Sequence, residues 1–197
     1  MLDIWKSNGL ATRFRMSNRK VGCWIFAYGS LIWKPEFPYL TKRVATLEGF
    51  TRRFWQGSID HRGMPGAPGR VVTLVKDPNG SCEGLIFGVS DARREEVLNA
   101  LDVREKGGYE RNVYPVTPRG STGTKVEALV YRAGPSNPNF LGPADIESIA
   151  RQVSSSCGPS GNNLEYVRNL HESLRDLRIW DPHVTKLAMA LETIGVN

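Results

Sequence analysis

The sequence predicts an α+β fold. Short β-branched and aromatic runs ended by glycine turns dominate its front half, and amphipathic patterns of helical spacing dominate its rear. The 197 residues, 40% hydrophobic and 23% charged, match ordinary globular usage and suffice for one buried core without disulfide staples. No repeated unit and no heptad pattern is present. The longest apolar runs, residues 24–27 and 85–87, are far too short to cross a bilayer. A single domain is therefore expected over residues 21–197.

Residues 1–20 are polar, basic and poorly periodic, and are expected to form a flexible N-terminal extension. Arg13, Arg15, Arg19 and Lys20 among Ser7, Thr12 and Ser17 give it a faint transit-peptide character, against which Asp3 and the weak amphipathic pattern count. Trp24-Ile25-Phe26-Ala27 then reads as a buried strand breaking into the turn Tyr28-Gly29-Ser30. Residues 43–54 mix apolar and basic side chains and look extended, and residues 60–69 are a Gly/Pro-rich loop. Two β-rich runs, 70–75 and 85–89, flank the turn signal Asp77-Pro78-Asn79-Gly80, which predicts a hairpin. Ser90-Asp91 is placed to cap a helix that carries Val97, Leu98 and Leu101 on its apolar face and stops at Gly107-Gly108. Strands follow at 111–116 and 128–132. The rest is helical: Ile146, Ile149, Ala150 and Val153 on one segment, Leu164, Val167, Leu170, Leu174 and Leu177 on the next, and a last helix over 183–191.

Lys and Arg number 26 against 20 Asp and Glu, a net charge of +6. The basic residues are spread along the chain, and no RNP-type aromatic motif or Cys/His finger accompanies them. A nucleic-acid partner is thus not favoured, whereas an anionic small molecule fits the surplus. The three cysteines, Cys23, Cys82 and Cys157, lie far apart and form no CxxC. No disulfide framework is expected, and a reducing compartment is. With His61, His171 and His183 they lack the spacing of a metal site, so no metal is expected. Asn79-Gly80-Ser81 matches a glycosylation sequon but reads as part of the turn.

Four constellations could carry chemistry. A glycine in Tyr28-Gly29-Ser30-Leu31-Ile32-Trp33 lets the chain turn sharply after a buried strand and leaves successive N–H groups able to hold an anion or an oxyanion; an ordinary strand-ending turn fits the same spacing. Glu105 falls in the last turn of the first predicted helix, where the dipole disfavours a carboxylate and partial burial would push its pKa toward that of a general base. Arg104 and Lys106 oppose that shift, and a solvated surface glutamate is the alternative. Arg62 and Arg70, at either end of the Gly/Pro loop, could clamp a carboxylate or be surface charges. Cys157-Gly158-Pro159-Ser160-Gly161-Asn162-Asn163 is a tight polar turn between helices with no P-loop lysine after it. No G-x-S-x-G elbow supplies a nucleophilic serine to pair with Asp60-His61.

Taken in order, YGSLIW (28–33), FWQGSIDHRG (54–63), PGRVVTL (68–74), LDVREKGGY (101–109) and GPSGNNLEY (158–166) resemble the ChaC family of γ-glutamylcyclotransferases. The likeness spans residues 23–191. One departure is Met64-Pro65-Gly66, where the family more often shows Thr-Pro-Glu. The resemblance implies a mixed β-barrel flanked by α-helices and a cytosolic enzyme that needs no cofactor and cleaves reduced glutathione into 5-oxoproline and cysteinylglycine. It implies that Glu105 is the catalytic glutamate. It further implies that Ala27, Tyr28, Gly29, Ser30, Leu31 and Ile32 bind the γ-glutamyl end, leaving Arg70 and then Arg62 as the candidates for the glycine carboxylate. A cyclotransferase for γ-glutamyl amino acids or amines, and a non-catalytic glutathione or nucleic-acid binding module, are the alternatives. Oligomeric state is not legible.

Overall fold

A computed structural model describes residues 20–105 and 107–195. The expected N-terminal extension lies outside the described residues except for Lys20, and so does Lys106. Strands β1 (Val21–Ala27), β2 (Thr41–Ser58), β3 (Gly69–Ser90), β4 (Glu110–Pro118) and β5 (Val126–Arg132) close into a barrel in the order β1-β3-β2-β4-β5. Most pairs are antiparallel. The closing contact of β1 with β5, Trp24 opposite Ala128 and Ile25 opposite Leu129, is parallel and makes the barrel mixed. Helix α1 (Arg94–Arg104) links β3 to β4, and α2 (Ile146–Ser155), α3 (Asn163–Asp176) and α4 (Pro182–Thr193) follow the barrel. No helix among the described residues is long and apolar enough to cross a membrane.

The predicted hairpin does not form. Residues 81–88 and 69–76 both pair with β2, the first with 41–48 and the second with 50–58, so β3 is one long strand. Asp77-Pro78-Asn79-Gly80 is a bulge in it opposite Gly49. The Asn79 N–H donates to Asp77 Oδ1 at 3.2 Å, a local bond that a bulge can use as well as a hairpin turn. Gly49 takes φ +81°, a left-handed conformation that glycine adopts without strain. The inward phase of β2 slips there, from Ala45 and Leu47 to Phe50, Arg52, Phe54 and Gln56.

Ser90 and Asp91 do not cap α1 with a side chain. The chain leaves β3 through a single 3₁₀ turn, Asp91–Arg93, before the helix begins. The later helices do carry side-chain caps. Asp145 accepts from Ser148 N–H at 2.7 Å, Asn162 from Glu165 N–H at 2.7 Å, and Asp181 from His183 and Val184 N–H at 3.0 and 3.1 Å. Their apolar faces, including Ile149, Val153, Leu170, Leu174, Val184 and Leu187, join the barrel's inward side chains in one core.

Inside that core lies Arg52, 1% exposed. Each of its nitrogens has a partner: Nη1 donates to Asp181 Oδ2 at 2.7 Å, Nε to the Tyr28 carbonyl at 2.7 Å, and Nη2 to the Glu83 carbonyl. One buried cation thus fastens the start of α4 and the turn after β1 to the barrel wall.

Candidate active site

A cavity of about 570 Å³ opens where β1 and β5 end and β4 begins. That size suits a small peptide-like molecule. Its walls include the turn after β1 through Ser30 and Trp33, the β2–β3 loop through Asp60, His61 and Arg62, the end of α1 through Arg104 and Glu105, and α3 through Glu165, Tyr166 and Asn169. An inner recess of about 50 Å³ continues into the barrel and is lined by residues 26–31 with Val72, Tyr131, Glu105, Tyr109 and Tyr166, of which Ser30, Glu105, Tyr109 and Tyr166 also line the outer cavity.

The turn after β1 is a 3₁₀ helix, Ser30–Ile32. The first N–H groups of such a turn have no partner in the preceding backbone. The N–H of Ile32 does have one, the Gly29 carbonyl at 2.9 Å, and Ile32 lines neither the cavity nor the recess. The anion-holding role expected of the turn can thus fall on its earlier residues but not on Ile32. A Cβ on Gly29 would stand 3.0 Å from both Tyr166 Oη and Val72 Cγ2. Close approach, rather than a left-handed φ, is what glycine supplies there.

Glu105 is the residue directly after α1, with its N–H on the Leu101 carbonyl at 2.8 Å. Its side chain is 17% exposed. Burial pushes its carboxyl above the ordinary range, the Arg104 guanidinium opposes the shift from 3.4 Å, and Asp60 adds to it. A carboxyl held up in this way, at the junction of two cavities, can accept a proton from a ligand amine. Arg104 is itself a brace. It donates to the Lys34 carbonyl at 2.8 Å, to Glu36 Oε2 at 2.9 Å and to Ser30 Oγ at 2.9 Å, tying the first turn to the end of α1.

The two arginines of the Gly/Pro loop part company. Arg62 lines the cavity, where Nη1 donates to Glu165 Oε2 at 2.8 Å and to the Asn162 carbonyl at 3.0 Å, and its guanidinium sits 6.0 Å from the Tyr166 ring centre. Arg70 does not reach the cavity, and the expectation that it binds substrate is corrected. Strand alternation sends its neighbour Val71 to the cavity wall and its own side chain elsewhere. There Nε donates to Gln152 Oε1 at 2.7 Å and Nη1 to the Phe54 and Gly142 carbonyls at 3.0 and 3.3 Å, while its backbone N–H and C=O both bond the side chain of Asn163. Arg70 is a structural tie between β3 and the helices.

The polar turn at 157–162 is a two-stranded clip, β6 (Cys157–Gly158) with β7 (Gly161–Asn162), and its Pro159 and Ser160 line the cavity. Tyr109 and Tyr166 were not singled out from the sequence, although each ends one of the matching motifs. Both phenols are held above their ordinary pKa, first by burial, and stay neutral.

Comparison with known proteins agrees with this geometry. The sequence model of a family described as ChaC-like protein matches residues 23–194. The chain is similar to glutathione-specific γ-glutamylcyclotransferase 1 of Danio rerio, 44% identical over 176 residues that cover 87% of this chain and 90% of the relative. Against the protein of the same name from Homo sapiens it is 40% identical, covering 87% and 79%. The crystal structure of a yeast γ-glutamyl cyclotransferase specific to glutathione superposes with a TM-score of 0.81 at 29% identity, over 88% of this chain and 97% of that one. A closed mixed barrel with its cavity at the Tyr-Gly-Ser turn, and a family match that runs from β1 to the end of α4, together mean that this chain belongs to the ChaC-like protein family.

Proposed function

We propose that the chain converts reduced glutathione into 5-oxoproline and cysteinylglycine. The observation that carries this reading is Glu105, a largely buried carboxyl of raised pKa bordering both the outer cavity and the recess beside the Tyr28–Leu31 turn. The names of the similar proteins support the substrate.

In this reading the γ-glutamyl end enters the recess, with its α-carboxylate against the N–H groups of Gly29, Ser30 and Leu31. Held folded there, the substrate's α-amine lies near its own γ-carbonyl, and fixing that geometry removes much of the barrier. Glu105 takes a proton from the α-amino group. The nitrogen attacks the carbon of the γ-carbonyl, the new C–N bond closes a five-membered lactam, and the bond from that carbonyl carbon to the cysteine nitrogen breaks. The proton passes from Glu105 to the departing nitrogen. No water is consumed and nothing is oxidised. The Cys-Gly portion extends into the outer cavity, where Arg62 is the candidate for its carboxylate. The three free cysteines fit a cytosolic setting, in which thiols stay reduced.

The test is incubation of the purified chain with reduced glutathione and quantification of both products. Equal amounts of 5-oxoproline and cysteinylglycine are expected. Failure to form them, alongside release of 5-oxoproline from γ-glutamyl amino acids or amines, would overturn the assignment of substrate.

A further inference from the structure

We propose that Asn137 is a positioning residue for Glu105, acting through the carbonyls of the two glycines that follow it. The inference rests on the reading of Glu105 as the base. Asn137 lies in the connection from β5 to α2, far from Glu105 in sequence, and is 8% exposed. From Nδ2 it donates to the Gly107 carbonyl at 3.1 Å and the Gly108 carbonyl at 2.7 Å. Its Oδ1 accepts from Gln56 Nε2 at 3.1 Å and from the Asn139 N–H at 2.8 Å. Every donor and lone pair of the amide is used, and turning it over would set oxygen against two carbonyls. The other end of the relay is rigid, since Gln56 is fully buried on β2.

The glycines fit the same purpose. Gly108 takes φ +87°, and a Cβ there would collide with Asn137 Nδ2. Neither glycine has a side chain to anchor the segment between α1 and β4. Its local backbone tie, Tyr109 N–H to the Glu105 carbonyl, is long at 3.3 Å. The asparagine therefore holds Gly107 and Gly108, two and three residues past Glu105, against the barrel wall. The charged and titratable groups facing Glu105 come from every side: Arg104 on α1, Asp60 on the β2–β3 loop, Tyr28 after β1, Tyr109 before β4 and Tyr166 on α3. A segment freed from Asn137 lets the carboxylate swing out of this enclosure toward water.

The test uses the full chain with glutathione. Asn137→Asp keeps the shape and the acceptor for Gln56 and Asn139 but removes the donor to the two carbonyls. The expected result is a loss in kcat of about tenfold to a hundredfold, as for a misplaced reacting group, with KM little changed. The acid limb of the kcat profile should move to lower pH as Glu105 gains water. Added to Glu105→Gln, the same substitution should cost nothing more, because both act on one group. If Asn137→Asp does not fold, Gln56→Met tests the relay from its far end and should move the limb the same way. An unmoved limb in the folded variant, or losses that multiply in the double variant, overturns the proposal. Full activity in Glu105→Gln overturns the base assignment and this inference with it; a large loss there with an unmoved limb in Asn137→Asp overturns the tether alone.

Discussion

Glu105 carries opposite demands. Burial raises its pKa in the fold, so the folded protein keeps this proton to higher pH than the unfolded chain does. Ionising it costs stability, a cost that is absent well below the ordinary carboxylate range and complete above the raised value. Glu105→Gln should therefore raise the urea midpoint at neutral pH while lowering turnover by about two orders of magnitude or more. Unchanged turnover would remove Glu105 from the chemistry, and a lowered midpoint would contradict the burial argument. Arg62 and Arg70 make a second contrast at this scale. Arg62→Ala should weaken kcat/KM for glutathione by about 1.5–3 kcal/mol more than for γ-glutamyl-cysteine, which ends before the glycine carboxylate. Arg70→Ala should injure both substrates alike, because its bonds are internal. An equal loss for both substrates in Arg62→Ala would deny it the carboxylate. The sequence places both arginines beside the same loop. It could not tell them apart, because the groups that claim Arg70 (the Phe54 and Gly142 carbonyls and Gln152) come from distant parts of the chain.

At the scale of elements, the start of α4 is a lock on the barrel. Asp181 caps the helix and meets Arg52, and His183 accepts the Phe54 N–H at Nε2 over 3.1 Å. Burial, then Arg53, pulls the His183 pKa down to about 4 from an ordinary 6.5. The unfolded chain thus binds this proton first, and the stability held by the neutral ring is lost as pH falls from 6.5 toward 4. The size is at most about 3 kcal/mol, and less for a partly exposed ring. His183→Gln, which can still accept from Phe54, should lose less stability than wild type between neutral pH and pH 5; urea titrations at both values check this, and parallel losses would contradict it. Most elements were legible because side-chain period and turn residues agree within them. The β2–β3 pairing was not. Asp-Pro-Asn-Gly carries the local chemistry of reversal, and only the partner strand decides whether the chain turns back or bulges.

For the whole molecule, lactam formation needs no enzyme thiol. Cys82 is buried, with its thiol pushed up to about 11, mainly by burial; Cys23 is half-buried and Cys157 exposed. A Cys23→Ala, Cys82→Ala, Cys157→Ala variant should keep its kcat/KM while losing about 1–2 kcal/mol of stability, chiefly at Cys82. Inactivation by a thiol reagent, mapped to one cysteine and blocked by substrate, would count against this. The α+β class was legible, and so was the place of the candidate site, because the motifs fall at the ends of elements that meet at one mouth. Burial of Glu105, the part of Asn137 and the tie made by Arg70 were not, since each depends on contacts between residues far apart in sequence.

The long β2–β3 ribbon also bears on how the barrel assembles. Its strands are joined by the loop at 59–68, so the ribbon can zip outward from a short closure, whereas Trp24 and Ile25 must find Ala128 and Leu129 across most of the chain. A Cβ on Gly63 would press on the Gly69 nitrogen and the Ser58 carbonyl, so Gly63→Ala should slow refolding, while Ile25→Val at the closing seam should mainly speed unfolding. Stopped-flow chevrons distinguish the two, and an unchanged refolding limb for Gly63→Ala would deny the loop its early role. If the loop does nucleate the fold, the loop that lines the cavity through Asp60, His61 and Arg62 also seeds the barrel. Selection for a new substrate through that loop would then act on folding speed at the same time, and neutral drift there would be slower than its exposed position suggests.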